Sequence, residues 1–146
     1  MPYRDRDIEI KPCDAEAFER VKYYIDCFDL DNRGLRPEEF LTAYVGTSLV
    51  GFGRIRQYAS CYELCSLGVI EPERRKGIGR KLTLHLKMKA GNPLYLVCII
   101  PGFFEALGFS ICEHYPAEIR DKLDYCTGSL PVPETYVVMK KNEDVH

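Results

Sequence analysis

The sequence predicts an α+β chain, a mixed sheet with helices on both faces. Three observations predict it. Residues 40–57 read as two short strands joined by a tight turn. Residues 62–100 read strand, glycine loop, amphipathic helix, strand. Residues 94–100 form an uninterrupted apolar run, the pattern of a central strand covered on both faces.

The elements follow in order. Ile8 and Ile10 alternate with charged residues and mark a first strand. Asp14 is a good N-cap, and Phe18, Val21, Ile25 and Phe28 recur at helical spacing, so 15–28 is an amphipathic helix. A polar turn with Gly34 in it spans 29–36. Strands 40–45 and 48–57 meet at Gly46-Thr47, a hairpin turn. Residues 62–70 form a third, more buried strand. Residues 77–90 form a helix with Ile78, Leu82 and Leu86 along one face, ended by Gly91-Asn92-Pro93. After strand 94–100, Pro101 opens a short helix carrying Phe103, Phe104 and Leu107, with Gly108 at its C′ position. A strand starts at 109–113, a short helix with Ile119 and Leu123 spans 116–125, and 136–139 is the last strand; the tail 140–146 is expected to fray. With no repeat, low-complexity tract or linker, the expectation is one domain over residues 1–146.

Composition narrows the class. The chain has 146 residues, 46% of them hydrophobic, enough for a core, and no apolar run approaches the roughly 20 residues of a membrane helix. The charged N-terminus lacks an apolar leader, so a soluble cytoplasmic protein without a membrane partner is expected. A net charge of −2 argues against a nucleic-acid-binding surface. Seven cysteines, an odd number without a Cys-x-x-Cys pair, argue for a reducing compartment and against a disulfide scaffold or zinc ribbon. Cys65 and Cys98 sit in apolar runs as small hydrophobes.

Seven of the 20 basic residues fall between Arg74 and Lys89. They surround Arg74-Arg75-Lys76-Gly77-Ile78-Gly79, which follows a strand and opens a helix. Two glycines let the backbone approach an anion, the N–H groups of the first helical turn point at it, and Arg74, Arg75, Lys76 and Arg80 add charge: a pyrophosphate socket. Lys87 and Lys89 read equally well as a solvated helix face. The third glycine of a dinucleotide fingerprint is missing, and so is the Gly-Lys-Ser/Thr of a nucleoside-triphosphate loop. Asp29-Leu30-Asp31-Asn32-Arg33-Gly34 imitates a calcium loop, but Arg33 and Phe40 stand where oxygen ligands belong, so it reads as a plain turn. Gly51-x-Gly53 inside a strand suggests a bulge or a close approach. No residues have metal-ligand spacing; His85 and His114 read as structural or exposed.

The stretch from Leu67 to Leu82 resembles the acyl-CoA-binding motif of the GNAT N-acetyltransferase superfamily. Phe103-Phe104-Glu105-Ala106-Leu107-Gly108-Phe109 resembles that family's Phe-Tyr-Glu-x-Leu-Gly-Phe segment, and the element order fits from Ile8 to Lys140. The resemblance implies the GNAT fold, a mostly antiparallel twisted sheet of about six to seven strands with helices on both faces. It implies acetyl-CoA as co-substrate, no metal, a small-molecule amine as acceptor, and it is compatible with a homodimer. Leu67, Gly68 and Val69 would hold the pantetheine arm and acetyl group, with an N–H there, that of Val69, polarising the thioester carbonyl. Arg74, Arg75, Lys76, Gly77, Ile78, Gly79 and Arg80 would hold the pyrophosphate, and Phe104 would face the cofactor. Glu63, six residues before Val69, falls where many members carry a general base; an amine must be neutral to attack a thioester. Without a bulge, Glu63 shares a strand face with Cys65, Leu67 and Val69.

Phe104 departs from the pattern, because many relatives have a tyrosine there to protonate the leaving thiolate, and phenylalanine has no proton to give. A thiol of pKa about 8.5 leaves readily without help; water, Tyr95 or Tyr115 are the other donors. The segment after Phe109 resembles the amino-acid N-acetyltransferases, N-acetylglutamate synthase among them. Arg54 and Arg56 read either as binders of a substrate carboxylate or as outward-facing strand residues. The resulting expectation is transfer of an acetyl group to the primary amine of an amino-acid-like metabolite, by direct attack in a ternary complex. A peptide or protein N-acetyltransferase and a non-catalytic acetyl-CoA-binding sensor module remain the alternatives.

Overall fold

The computed structural model describes residues 4–70 and 77–143. Its frame is a seven-stranded sheet: β1 (Ile8–Pro12), β2 (Phe40–Val45), β3 (Ser48–Gln57), β4 (Tyr62–Val69), β5 (Leu94–Cys98), β6 (Phe109–Ile111) and β7 (Val137–Lys141), in the spatial order β1-β2-β3-β4-β5-β7-β6. All neighbours are antiparallel except β4 and β5. That one parallel pair needs a crossover, and α2 (Ile78–Lys89) supplies it.

The other helices are α1 (Ala15–Cys27), α3 (Pro101–Glu105) and α4 (Ala117–Ser129). Asp14 caps α1 by accepting the Ala17 N–H at 2.8 Å. Val21 and Ile25 of α1 pack on Phe40, Leu49 and Phe52, while Ile119 of α4 packs on Cys61, Tyr95 and Val138. On the opposite face, Ile78, Leu82 and Leu86 of α2 and Phe104 of α3 pack on Val50, Ile55, Leu64, Leu96 and Met139.

The glycines of β3 let α2 lie close. A Cβ on Gly51 would come within 2.9 Å of Ile78 and Leu82 side-chain atoms, and one on Gly53 would run into Leu86. Both the close approach and a neighbouring bulge expected from Gly51-x-Gly53 are present. Gly46 turns the β2–β3 hairpin at φ +61°, in the left-handed region that suits glycine.

Several element ends differ from the sequence reading; β6, for one, stops at Ile111 rather than at 113. β5 ends at Cys98, because Ile99 and Ile100 leave the sheet to start α3. α4 continues to Ser129 although Thr127 and Gly128 are weak helix formers; burial of Cys126 overrides their propensity. β7 starts at Val137 and runs to Lys141, because Lys140 and Lys141 pair with β6. Among the described residues no helix is long and apolar enough to cross a membrane.

Candidate active site

The site begins where the parallel pair comes apart. β4 and β5 are in register only at Tyr62↔Leu94 and Glu63↔Tyr95. On the other side of β4 the pairing jumps from Arg54↔Cys65 to Phe52↔Gly68, so Ser66 and Leu67 together oppose Gly53. This is a β-bulge, with Ser66 in the left-handed region at φ 51°. Such a conformation costs a non-glycine residue about 1–2 kcal/mol. The buried Ser66 hydroxyl offsets part of it by donating to the Asp31 carbonyl at 2.9 Å. The bulge turns β4 away from β5, and a cavity of 680 Å³ opens between them, walled by Leu64, Ser66 and Leu67 on one side and Leu96, Cys98, Ile100 and Phe104 on the other.

The bulge also changes which residues share a face. Glu63 and Cys65 face α1 and α4, as does Gly68, whose Cβ would meet the Phe52 ring at 2.5 Å. Leu67 and Val69 instead pack with Ile78 and Leu82 of α2. The expected common face of Glu63 with Leu67 and Val69 is therefore corrected: the extra residue inverts the alternation between Cys65 and Gly68.

Glu63 is 0% exposed. The Tyr58 hydroxyl donates to its Oε1 at 2.8 Å, and the Lys122 ammonium lies 2.9 Å from its Oε2 as an ion pair rather than an aligned hydrogen bond. Lys122, from α4, also donates to Asp31 Oδ2 at 3.0 Å. Asp31 in turn is held by a two-pronged Arg33 at 2.9 and 2.8 Å, and Arg56 stands 3.9 Å away. Two carboxylates from different elements thus share one buried lysine. Asp31 and Lys122 line the cavity, and Glu63 reaches it through Lys122.

Charge balance explains how these groups stay ionised. Burial alone would raise Asp31, but Arg33 and then Lys122 overcome it and hold the carboxyl well below the usual carboxylate range. Burial alone would lower Lys122; the carboxylates of Glu63 and Asp31 beside it reverse that and hold the ammonium above its usual range. Burial and the Glu63 charge push the Tyr58 phenol up, so it stays a donor.

The opposite wall is apolar. Phe104 is 5% exposed and packs edge-on to Phe103 and Phe109, with ring centroids 5.0 and 5.9 Å apart. α2 starts on Gly77 at φ +89°, where a Cβ would meet nothing within 4 Å, so the demand for glycine there is conformational. No side chain caps the helix and its first turn carries no acid. A Cβ on Gly79 would sit 3.5 Å from Phe103 and 3.7 Å from Val69, and Arg80 is exposed. Arg74, Arg75 and Lys76 lie outside the described residues. Further along α2, Lys81, Lys87 and Lys89 donate to the carbonyls of Ile8, Leu107 and Glu38, so these lysines tie α2 to its neighbours.

Arg54 matches neither sequence reading. It is 0% exposed and binds Glu39 Oε1 and the Gly34 carbonyl, fixing the loop before β2. Arg56 belongs to the Asp31 cluster. Tyr95 and Tyr115 do not line the cavity; Tyr136 does, its hydroxyl donating to the Leu130 carbonyl at 2.5 Å. Cys65, Cys98 and Cys126 line it as free thiols. Burial pushes Cys65 up to about 12 and raises Cys98 and Cys126, which makes them neutral and poor nucleophiles. Among the described residues no group of three His, Cys, Asp or Glu is placed to hold a metal ion.

Sequence reasoning missed Asp31, Lys122 and Tyr136. Lys122 left one signal: it stands three residues after Ile119 and four before Cys126, a lysine on the buried stripe of α4. Asp31 left none, since its turn composition explains itself.

The model of the Acetyltransferase (GNAT) family matches residues 7–109. No curated protein matches the sequence. Among solved structures, N-acetylglutamate synthase from Neisseria gonorrhoeae, complexed with coenzyme A and N-acetyl-glutamate, is similar with a TM-score of 0.75 at 16% identity, covering 94% of this chain. The match spans only 35% of that protein's chain. Rv2747 from Mycobacterium tuberculosis, in complex with CoA and NLQ, gives a TM-score of 0.74 at 16% identity over 93% of this chain and 99% of that one. Naa50 from Arabidopsis thaliana, in complex with the bisubstrate analogue CoA-Ac-MVNAL, gives 0.64 at 17% identity over 94% and 99%.

Proposed function

The chain belongs to the GNAT family of acetyl-CoA-dependent acetyltransferases, and we propose that it acetylates the free α-amino group of a small, amino-acid-like molecule. One observation carries this reading: a single cavity runs from the apolar wall of Leu67, Leu96 and Phe104 to the buried charges of Asp31 and Lys122. At 680 Å³ it is of the size that takes a small ligand.

The residues fit an acyl-CoA. The uncapped α2 start, with glycine at 77 and 79, offers backbone N–H groups and a favourable dipole to a pyrophosphate, and Arg80 with Arg74, Arg75 and Lys76 supplies charge. In this reading the backbone of Leu67, Gly68 and Val69, at the bulge, guides the pantetheine arm, and Phe104 shields the thioester from water. Bound acetyl-CoA supplies an activated acyl group.

At the other end Glu63 acts as the base. Tyr58 and Lys122 occupy its two oxygens; in this reading the proton of the amine passes through a water to the Tyr58 hydroxyl, which hands its own proton to Glu63 Oε1, while Lys122 holds Oε2 in place. The cluster holds Lys122, Arg33 and Arg56 against Asp31 and Glu63, an excess of one positive charge. That excess suits an acceptor bringing its own carboxylate. Asp29, exposed and also lining the cavity, offers a partner to the acceptor's amine. An α-amino group, with a pKa near 8, is also neutral more often than a lysine side chain at about 10.4. Transfer is by direct attack, consistent with the raised thiols of Cys65 and Cys98.

Phe104 favours a second reading, a non-catalytic acetyl-CoA-binding module, because no tyrosine stands in its place. Thiol release from acetyl-CoA, measured with free amino acids, N-blocked amino acids, polyamines and short peptides, separates the readings. Acceleration by free but not N-blocked amino acids is expected. Tight acetyl-CoA binding without acceleration by any amine supports the sensor; acceleration by peptides alone overturns the small-molecule acceptor.

A further inference from the structure

We propose that Lys122 is a positioning residue that clamps Glu63 and Asp31 as a pair of ionised carboxylates and so couples α4 to the proton-accepting step. The inference rests on Glu63 being the base. The geometry is specific: one nitrogen stands 2.9 Å from Glu63 Oε2 and 3.0 Å from Asp31 Oδ2, and the lysine side chain is 5% exposed. Ile119 and Cys126, its neighbours on the α4 stripe, are buried with it. An unpaired lysine at such a position would be costly, and α4 keeps it because both carboxylates are there. Lys122 also lies beyond residue 109, where the family match ends, so this helix adds a group that the matched part of the chain does not provide.

The groups facing the pair come from several elements. Glu63 meets Tyr58 from the β3–β4 turn and Lys122 from α4, and it is in register with Arg56 on β3 and Tyr95 on β5. Asp31 meets Arg33, Arg56 and Lys122. Cys65, one position along the same face as Glu63, stays a neutral thiol. With Lys122 removed, two carboxylates that touched one cation are left near each other. Like charges at close range resist joint ionisation, so the acidic limb of the rate profile moves to higher pH.

The test compares Lys122→Met, Lys122→Arg, the double variant Lys122→Met/Asp31→Asn, and Glu63→Gln, each as the full chain. Two readouts are taken: the pH profile of kcat/KM for the acceptor, and carboxyl ¹³C NMR titration of Asp31 without acyl donor. In Lys122→Met the acidic limb should rise by about one pH unit or more, and the Asp31 midpoint should rise with it. The KM for acetyl-CoA should change little. Lys122→Arg should restore both, and the double variant should bring the limb back toward wild type. An unmoved Asp31 midpoint in folded Lys122→Met, or Lys122→Arg as impaired as Lys122→Met, overturns the clamp. If Lys122→Met does not fold, Lys122→Arg decides: an acidic limb and an Asp31 midpoint within about half a pH unit of wild type uphold the clamp, and a rise of about one unit or more in both overturns it. If the Asp31 midpoint moves but Glu63→Gln leaves the rate profile unchanged, the clamp of Asp31 stands and the base assignment falls.

Discussion

The two ends of the cavity are built on different principles. The end proposed for acyl-CoA uses backbone: a bulge at Ser66–Leu67, a helix start at Gly77, and an apolar wall at Phe104, mostly within one stretch of chain. The end proposed for the acceptor uses side chains from distant places, with Asp31 and Lys122 separated by 91 residues and Glu63 between them in sequence. A backbone site needs glycines and a strand–loop–helix order, which constrain sequence locally. A side-chain site needs only that the fold bring charges together, and it can be rebuilt without altering the fold. The end proposed for the donor is therefore legible as a local pattern, and the end proposed for the acceptor is assembled only by the fold.

The largest effect should come at the donor end. Gly79→Arg should abolish thermal stabilisation by acetyl-CoA, whereas Gly79→Ala should keep it, because a methyl there meets Phe103 and Val69 only at ordinary contact distance. Loss of stabilisation in both variants would mean that the helix start tolerates no side chain at all. Next comes the acceptor end: Glu63→Gln should lower kcat/KM by about 10²–10⁴-fold while leaving acetyl-CoA affinity nearly unchanged. A parallel loss of affinity would break the separation between the two ends.

A smaller effect is expected where the ends meet. Gly68→Ala drives a methyl into the Phe52 ring and should cost roughly 1–3 kcal/mol of stability in chemical denaturation. The smallest effect is one of pH. Asp31 has its pKa depressed by folding, so its stabilisation is present above the unfolded value of about 3.9 and is lost as the pH falls below it. Lys122 has its pKa raised, so its contribution is present below about 10.4 and is lost as the pH climbs beyond it. Thermal melts of Asp31→Asn should therefore show a flatter acid limb than wild type; an unchanged limb would remove Asp31 from the account.

What the sequence disclosed follows the same division. The Arg-x-x-Gly-x-Gly stretch, the segment around Phe104 and the helical and strand periodicities carried the fold and the donor, because each is a local pattern. The bulge at Ser66 was hidden, since neither serine nor leucine advertises a left-handed residue, and it moved Leu67 and Val69 to the other face from Glu63. Asp31 read as a turn residue because Asp-Asn-Arg-Gly is good turn chemistry whatever the aspartate touches. Arg54 was invisible as a buried anchor because its partners, Glu39 and the Gly34 carbonyl, belong to a loop without a pattern.

In the proposed function, donor and acceptor occupy the cavity together and the acetyl group passes directly between them. Initial velocities measured over a grid of acetyl-CoA and amino-acid concentrations test it most directly. Intersecting double-reciprocal lines, with no thiol burst in the absence of amine, are the predicted result. Parallel lines with a stoichiometric burst would show an acetylated protein intermediate and contradict the account.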